Sequence, residues 1–237
     1  MAGFDGSAAT AAARRNSVLA ALTSSRPLPA GFELLALNNH DLVHEIDQPV
    51  AAVLFPLSCV VSVLASNGDD ALDVTTVGRE GLVGLSGFLG APVHATRAVC
   101  RVPGEALRLP LAEARQLLVD DAEGLAVLHR YVQNNTDDLM QRIACNRAHT
   151  SETRCASWLL KTADRVGRDV FTLSHGTLAT MLGVRRATVP DSLALLQQDK
   201  VVRSSRGTVT VLDRSALEAA ACGCYPTFRR ALTRTST

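Results

Sequence analysis

The sequence predicts an α+β protein in three parts: a β-rich N-terminal half, one long helix, and a C-terminal unit ending in a winged helix-turn-helix pattern. Three observations carry this. Short β-branched runs recur between turn signals from about residue 32 to residue 110, a proline-free helical repeat follows them, and the charge changes sign along the chain. Residues 1–146 hold ten Arg+Lys against sixteen Asp+Glu, whereas residues 147–237 hold fourteen against seven, so the formal net charge of +1 conceals an acidic half and a basic one. A basic unit of this size suggests a polyanionic partner. The alternative is a solvated basic face. At 237 residues and 47% apolar content the chain is long enough for one large or two ordinary domains with real cores.

Taken in order, residues 1–14 are rich in Ala, Gly, Ser and Thr and are expected to be a disordered tail. In residues 15–119, "AAVLFP", "CVVSVLA", "DVTTVG", "TRAVCRV" and "EALRLP" alternate with turn signals such as "SNGDDA" and "VPGE". That is the spacing of a small sandwich or barrel. Residues 120–147 change period. Leu125, Leu128, Val132, Leu139 and Ile143 form a helical seam, with Asn135 as a polar residue within it. Asp120 with Glu123 makes a D-x-x-E start, and the helix is expected over about 121–147, ~40 Å at a rise of about 1.5 Å per residue. Such a seam needs a partner, and a lone asparagine in it can fix register. A parallel homodimer through Leu125, Leu128, Val132, Asn135, Leu139 and Ile143 is the expectation; packing on the chain's own barrel is the alternative.

Residues 148–237 carry the most specific motif. In "FTLSHGTLATMLGVRRATVPDSLALLQQDKVVRSSRGTVTVLD", Ser174 can cap a first helix ending at Leu182, and Gly183 supplies the turn. Ala179, Leu182, Val184, Val189, Leu193 and Leu196 are spaced to form the core of two crossed helices. "KVVRS" and "GTVTVLD" then flank "SRG", a hairpin with a basic tip. An α-hairpin unrelated to nucleic acid is the competing reading.

The sequence resembles the bacterial Crp–Fnr superfamily of transcription regulators over about residues 15–225. The resemblance is densest in "VGREGLVGLSGFLGA", "ACNRAHTSETRCASWLL", "MLGVRRATV" and "SSRGTVTVLDRSALEAAACGCY". It implies a jelly-roll-like β-roll sensor domain at 15–119, a dimerisation helix at 120–147 and a winged helix-turn-helix at 148–237. It further implies double-stranded DNA, a second copy of the chain and RNA polymerase as partners, with a small-molecule effector of unknown identity. The DNA-contacting set carried over is Ser174, Arg185, Arg186, Ala187, Thr188, Asp191, Arg203, Ser205 and Arg206. Relatives read base edges with an Arg-Glu-x-x-x-Arg set; the matching positions here are Arg186, Ala187 and Asp191, so only the first arginine survives. The effector pocket implied is Gly84, Leu85, Ser86, Thr96 and Arg97. Leu85 stands where nucleotide-binding members carry glutamate, and Thr96-Arg97 reverses their Arg-Ser or Arg-Thr pair. Cyclic AMP dependence is therefore not expected, and pairing of Arg97 with a barrel carboxylate is.

Pro190 bears on the reading helix. If that helix began at Arg186, the proline would fall inside it, orphan the Arg186 carbonyl and cost roughly 3 kcal/mol. Thr188-Val189-Pro190-Asp191 instead reads as a T-x-x-D start, which places the proline in the first turn.

Other functions have little to build on. There is no nucleophile–base constellation and no phosphate-cradling glycine loop, so an enzyme is not expected. His40 and His44 lack further ligands, and the Fnr-type cysteine cluster is missing before Cys59. No metal or cofactor is assigned. Cys222-x-Cys224, or Cys145 with Cys155, can be redox switches, but buried small hydrophobes are the preferred reading. Scattered cysteines, the lack of a signal sequence and the lack of a spanning segment suggest a cytoplasmic protein without membrane contact. Two rival functions remain: a sensor whose decayed helix-turn-helix acts through protein partners, and a cupin-like metalloenzyme.

Overall fold

A computed structural model describes residues 6–24, 26–68 and 70–234. Two short helices, α1 (Gly6–Ala13) and α2 (Ser17–Leu22), open the chain. This corrects the expected tail: residues 6–13 are helical, and Ala9, Ala12 and Ala13 are buried. Alanine has the highest helix propensity, and its small side chain allows close packing. Residues 1–5 of the expected tail lie outside the described residues. Asn16 fastens these helices to the β unit. It is fully buried, accepts the Leu19 N–H as the cap of α2, and donates to the carbonyls of Pro56 (2.9 Å) and Gly81 (2.8 Å).

The β unit comprises β1 (Glu33–Leu37), β2 (Leu42–His44), β3 (Ala52–Pro56), β4 (Val60–Asn67), β5 (Asp70–Val77), α3 (Leu85–Phe88), β6 (Arg97–Val102), β7 (Gly104–Pro110) and α4 (Leu111–Gln116). The strands form two antiparallel sheets, ordered β1-β7-β3 and β2-β6-β4-β5. This is the expected β-roll. The β-branched runs become the central strands. Cys59, Val61, Ala98, Cys100 and Ala106 fill the space between the sheets, while Phe55, Leu107 and Leu109 pack outward against α2 and the long helix.

That helix, α5 (Ala122–Ala148), is 27 residues long. Its cap is Asp121, whose carboxylate accepts the Gly124 N–H at 3.0 Å; Asp120, the cap expected from the sequence, sits one residue earlier with φ 53°. The C-terminal head follows: α6 (Ser151–Val166), β8 (Val170–Thr172), α7 (His175–Leu182), α8 (Thr188–Gln198), β9 (Val202–Ser205), β10 (Thr208–Val211), α9 (Arg214–Ala220) and α10 (Tyr225–Arg234). β8, β10 and β9 form one antiparallel sheet, so the wing has three strands rather than the two legible in the sequence. The head's core gathers Trp158, Leu159, Leu160, Phe171, Leu178, Leu193 and Leu217 and runs on into Val60 and Val102 of the β-roll.

Candidate nucleic-acid interface and sensor cavity

The helix-turn-helix is built as its sequence requires. Ser174 caps α7, its Oγ accepting the Thr177 N–H at 3.0 Å. Gly183 ends α7 with φ 64°, the left-handed turn that glycine tolerates best. Ala179, Leu182, Val189, Leu193 and Leu196 are buried and Val184 packs against them, which fixes the angle between α7 and α8.

α8 begins at Thr188, making Pro190 its third residue. The chain enters through two short-step bonds, Thr188 N–H to the Arg185 carbonyl (2.9 Å) and Val189 N–H to the Arg186 carbonyl (3.3 Å). The Arg186 carbonyl is thus satisfied, and the missing proline N–H falls among donors that have no partner within the helix. The T-x-x-D cap does not form, however. Ala187 occupies the cap position in a helical conformation, and Thr188 lies inside the helix, where its carbonyl accepts the Ser192 hydroxyl at 3.1 Å. Asp191 stands in the first turn, where a negative charge complements the helix dipole.

Burying Val189, Leu193 and Leu196 leaves the opposite face of α8 in solvent. Asp191 and Ala194 are exposed there, with Thr188 partly so, and Arg185, Arg186 and Ala187 are exposed in the turn that enters the helix. Leu195 is 59% exposed, a residue that sequence reasoning missed; its i+4 spacing from Asp191 was the signal. In the wing, Arg203, Ser205 and Arg206 are exposed. Arg206 and Gly207 connect β9 to β10 with φ values of 49° and 75°. Two positive φ angles are what a tight hairpin turn of this twist needs. The left-handed conformation costs an arginine about 1 kcal/mol or more.

In the β-roll, Gly84, Leu85, Ser86 and Thr96 line one cavity of about 220 Å³. Its other walls include Leu82, Val83, Tyr131, Asn135 and Leu139, so α5 closes it. Gly84, with φ 92°, starts α3, and a Cβ there would come 3.0 Å from the Ala52 carbonyl oxygen. Arg97 is not brought into this lining. Its Nε lies 3.3 Å from Glu45 Oε2, the carboxylate pairing expected of it. At the cavity wall His44 and His94 stack with ring centroids 3.6 Å apart. Burial, and then the stacked His94, lower the pKa of His44 to about 4, and burial lowers that of His94 as well. His40 lies apart from this pair, with Arg101 Nη1 at 3.2 Å from its Nδ1.

The seam residues of α5 divide. Leu128 is only 2% exposed within the single chain and so offers nothing to a partner; Asn135 and Leu139 border the cavity. Val132 is half-buried, while Leu125 (43%) and Ile143 (64%) are exposed, as is Met140 (56%), which the sequence seam omitted. Arg142, also missed, joins the three parts of the molecule. Its Nη2 bonds Asp73 of β5 at 2.9 Å and the Met181 carbonyl of α7 at 3.0 Å. Arg165 of α6 docks the head in the same way, on Glu80 at 2.7 Å.

Residues 153–220 match the family of the Crp-like helix-turn-helix domain. Among curated proteins none matches the sequence. Among solved structures, the chain is similar to FixK2 from Bradyrhizobium japonicum (TM-score 0.68, 15% identity, covering 81% of this chain and 98% of that one). It is similar also to a Crp/Fnr-family transcriptional regulator from Thermus thermophilus (0.63, 21%, 80% and 98%). The c-di-GMP-responsive global regulator CLP of Xanthomonas campestris gives 0.59 and 18%, over 77% and 94%. The fold is that of the Crp/Fnr-type transcription regulators. On that fold this chain carries a Crp-like helix-turn-helix domain, and among the described residues no helix is long and apolar enough to cross a membrane.

Proposed function

We propose that the chain acts as a homodimeric DNA-binding regulator that recognises a near-palindromic operator through two winged helix-turn-helix units. The observation that carries this reading is the exposed front of α8. Arg185, Arg186 and Ala187 precede a helix whose buried face is fully used by its own core, and a basic wing tip stands on the neighbouring hairpin. Arg186 is the candidate for a bidentate contact to guanine, Asp191 for a cytosine amine, and Ala187 for a thymine methyl. Leu195 extends that apolar contact. Ser174 and the first turn of α7 support the phosphate backbone. Arg206, held in a left-handed conformation where Asn or Gly would fit more easily, reaches phosphate from the wing with Arg203 and Ser205. Leu125, Val132, Asn135, Leu139, Met140 and Ile143 form the dimer seam. RNA polymerase and a small effector are further partners, the site of action is the cytoplasm, and the chain works by binding rather than by catalysis.

The effector is not cyclic AMP. Among the described residues lining the cavity at Gly84–Ser86 there is no lysine or arginine to hold a cyclic phosphate, and Arg97 is turned to Glu45. Calorimetry is expected to show no micromolar binding of cyclic AMP; a micromolar or tighter Kd contradicts this.

Two substitutions test the DNA reading. Arg186→Ala should cost about 1–3 kcal/mol on the preferred operator and relax preference at one base position. Arg206→Ala should weaken all sequences alike and lower the salt slope by about one. Salt-independent or undetectable binding by the folded wild type would favour instead a helix-turn-helix that has lost DNA and acts through protein partners.

A further inference from the structure

The end of the long helix and the loop after α9 meet at a cluster of four metal-binding side chains. Cys145 lies in the last turn of α5 and His149 is its C-terminal cap, while Cys222 and Cys224 follow α9. One sulfur or ring nitrogen from each falls within 4.8 Å of all the others. Read along the sequence, these cysteines look like buried small hydrophobes, because some seventy residues separate the two pairs. Cys155, once a possible partner for Cys145, belongs to the head's core and is not among the four.

The spacing of the donors can be compared with what a metal needs. A tetrahedral zinc ion has bonds of about 2.3 Å to sulfur and about 2.0–2.1 Å to imidazole nitrogen, which sets the edges of the tetrahedron at about 3.8 Å between sulfurs and about 3.6 Å between sulfur and nitrogen. Cys145 Sγ lies 3.6 Å from Cys222 Sγ, and Cys224 Sγ lies 3.6 Å from His149 Nδ1. Two opposite edges therefore already have the required length. An iron–sulfur cluster would place several irons and sulfides between the same thiolates and force them further apart than this.

The surroundings suit thiolates. The Ser157 Oγ accepts the Cys222 backbone N–H at 3.0 Å, which leaves its own hydrogen for Cys222 Sγ, also at 3.0 Å. Gln141 Nε2 donates to Cys224 Sγ at 3.1 Å. Donors aimed at sulfur are the outer shell expected around a metal–thiolate site, where they stabilise the negative sulfur and hold it in place. A disulfide would use only Cys145 and Cys222, leaving Cys224, His149 and the Gln141 contact without a role. Three soft sulfurs and an imidazole select zinc over calcium or magnesium, which take oxygen ligands.

We propose that Cys145, His149, Cys222 and Cys224 form a Cys₃His site for a single zinc ion that pins the DNA-binding head to the end of the long helix. Cys145 lies one turn from Arg142, which reaches both Asp73 and the head, so the ion would reinforce the same joint. On binding, the three thiols give up their protons and the histidine ligates as neutral imidazole. The site does not depend on the DNA-binding reading, since metal content and DNA affinity are measured separately.

The test uses the full chain, expressed with added zinc and purified under reducing conditions without chelator. Elemental analysis should find about one zinc per chain. Exchange with cobalt(II) should produce the intense visible bands of a tetrahedral site together with thiolate-to-cobalt charge transfer. Cys224→Ser and His149→Ala, each checked for native circular dichroism, should lose or alter that spectrum, whereas Cys155→Ser should keep it. Should the variants fail to fold, the wild-type cobalt spectrum decides by itself, because three thiolates in a tetrahedron absorb far more strongly than an octahedral oxygen site. A folded, reduced wild type with no stoichiometric metal and no tetrahedral cobalt spectrum would overturn the proposal, as would a metal-free chain carrying a Cys145–Cys222 disulfide.

Discussion

The two halves of α5 are one continuous helix with different surroundings. In the first half Val127, Leu128 and Tyr131 are buried within the single chain, Val127 and Tyr131 in the core shared with the β-roll and α2, and the Tyr131 hydroxyl both donates to the Leu82 carbonyl and accepts its N–H, each at 3.1 Å. In the second half Met140 and Ile143 stand in solvent, while Arg142 and Cys145 turn toward the head. A single helical period thus serves two purposes. The first half belongs to the fold of the β-roll, and the second is exposed on one side and joined to the C-terminal head on the other.

The largest effect is expected at that joint. Arg142→Ala leaves the Asp73 carboxylate, with no side-chain exposure, without its ion pair, and should cost about 3–5 kcal/mol. Burial already raises the pKa of Asp73, so protonation relieves the lone carboxylate and the deficit should shrink as pH falls. Urea melts at neutral and acidic pH measure both; an equal deficit at the two would mean that Asp73 is not the source. The halves of the helix are separated by the next pair. Leu128→Ala should lose about 2–5 kcal/mol of stability and leave the oligomeric state unchanged. Ile143→Asp should change stability little and yield monomers by light scattering, because it sets charge against its symmetry mate. If the two variants behave alike, the division of α5 is wrong.

The smallest expected effect is at the cavity that the first half closes. His44 titrates near 6.5 when unfolded and at about 4 in the fold, so the native state favours its neutral form. That contribution is complete above pH ~6.5 and is lost as pH falls toward 4. The thermal midpoint of the wild type should therefore drop between pH 7 and 5 by more than that of His44→Gln. Parallel profiles would remove His44 from the account.

Much of this architecture was legible because it is periodic. The β-branched runs, the turn glycine Gly183, the Ser174 cap and the core spacing of α7 and α8 each have a local cause, and each appears where its residues require. The start of α8 was legible too, since proline constrains its own backbone and that of its neighbour. Periodicity does not say which neighbour covers a face, so the seam offers Leu128 to a partner although the single chain already buries it. Composition misled at residues 6–13, where alanines that look like tail pack into a core. Thr188 shows the limit of motif reading: the sequence pattern of a cap was present, but the chain entered the helix one residue earlier. Arg142 and the four residues Cys145, His149, Cys222 and Cys224 were out of reach, because the contacts that define their roles join segments far apart in the chain.

The central claim is sequence-specific recognition of DNA by two copies of this head. Its most direct test is selection from a pool of random duplexes by the purified full-length chain without cyclic AMP, followed by salt titration on the enriched site. Two inverted half-sites are expected, with centres about one helical turn, or a multiple of it, apart, and an affinity that falls steeply with salt. Recovery of no motif, or of a single half-site bound equally well by monomers, would contradict it.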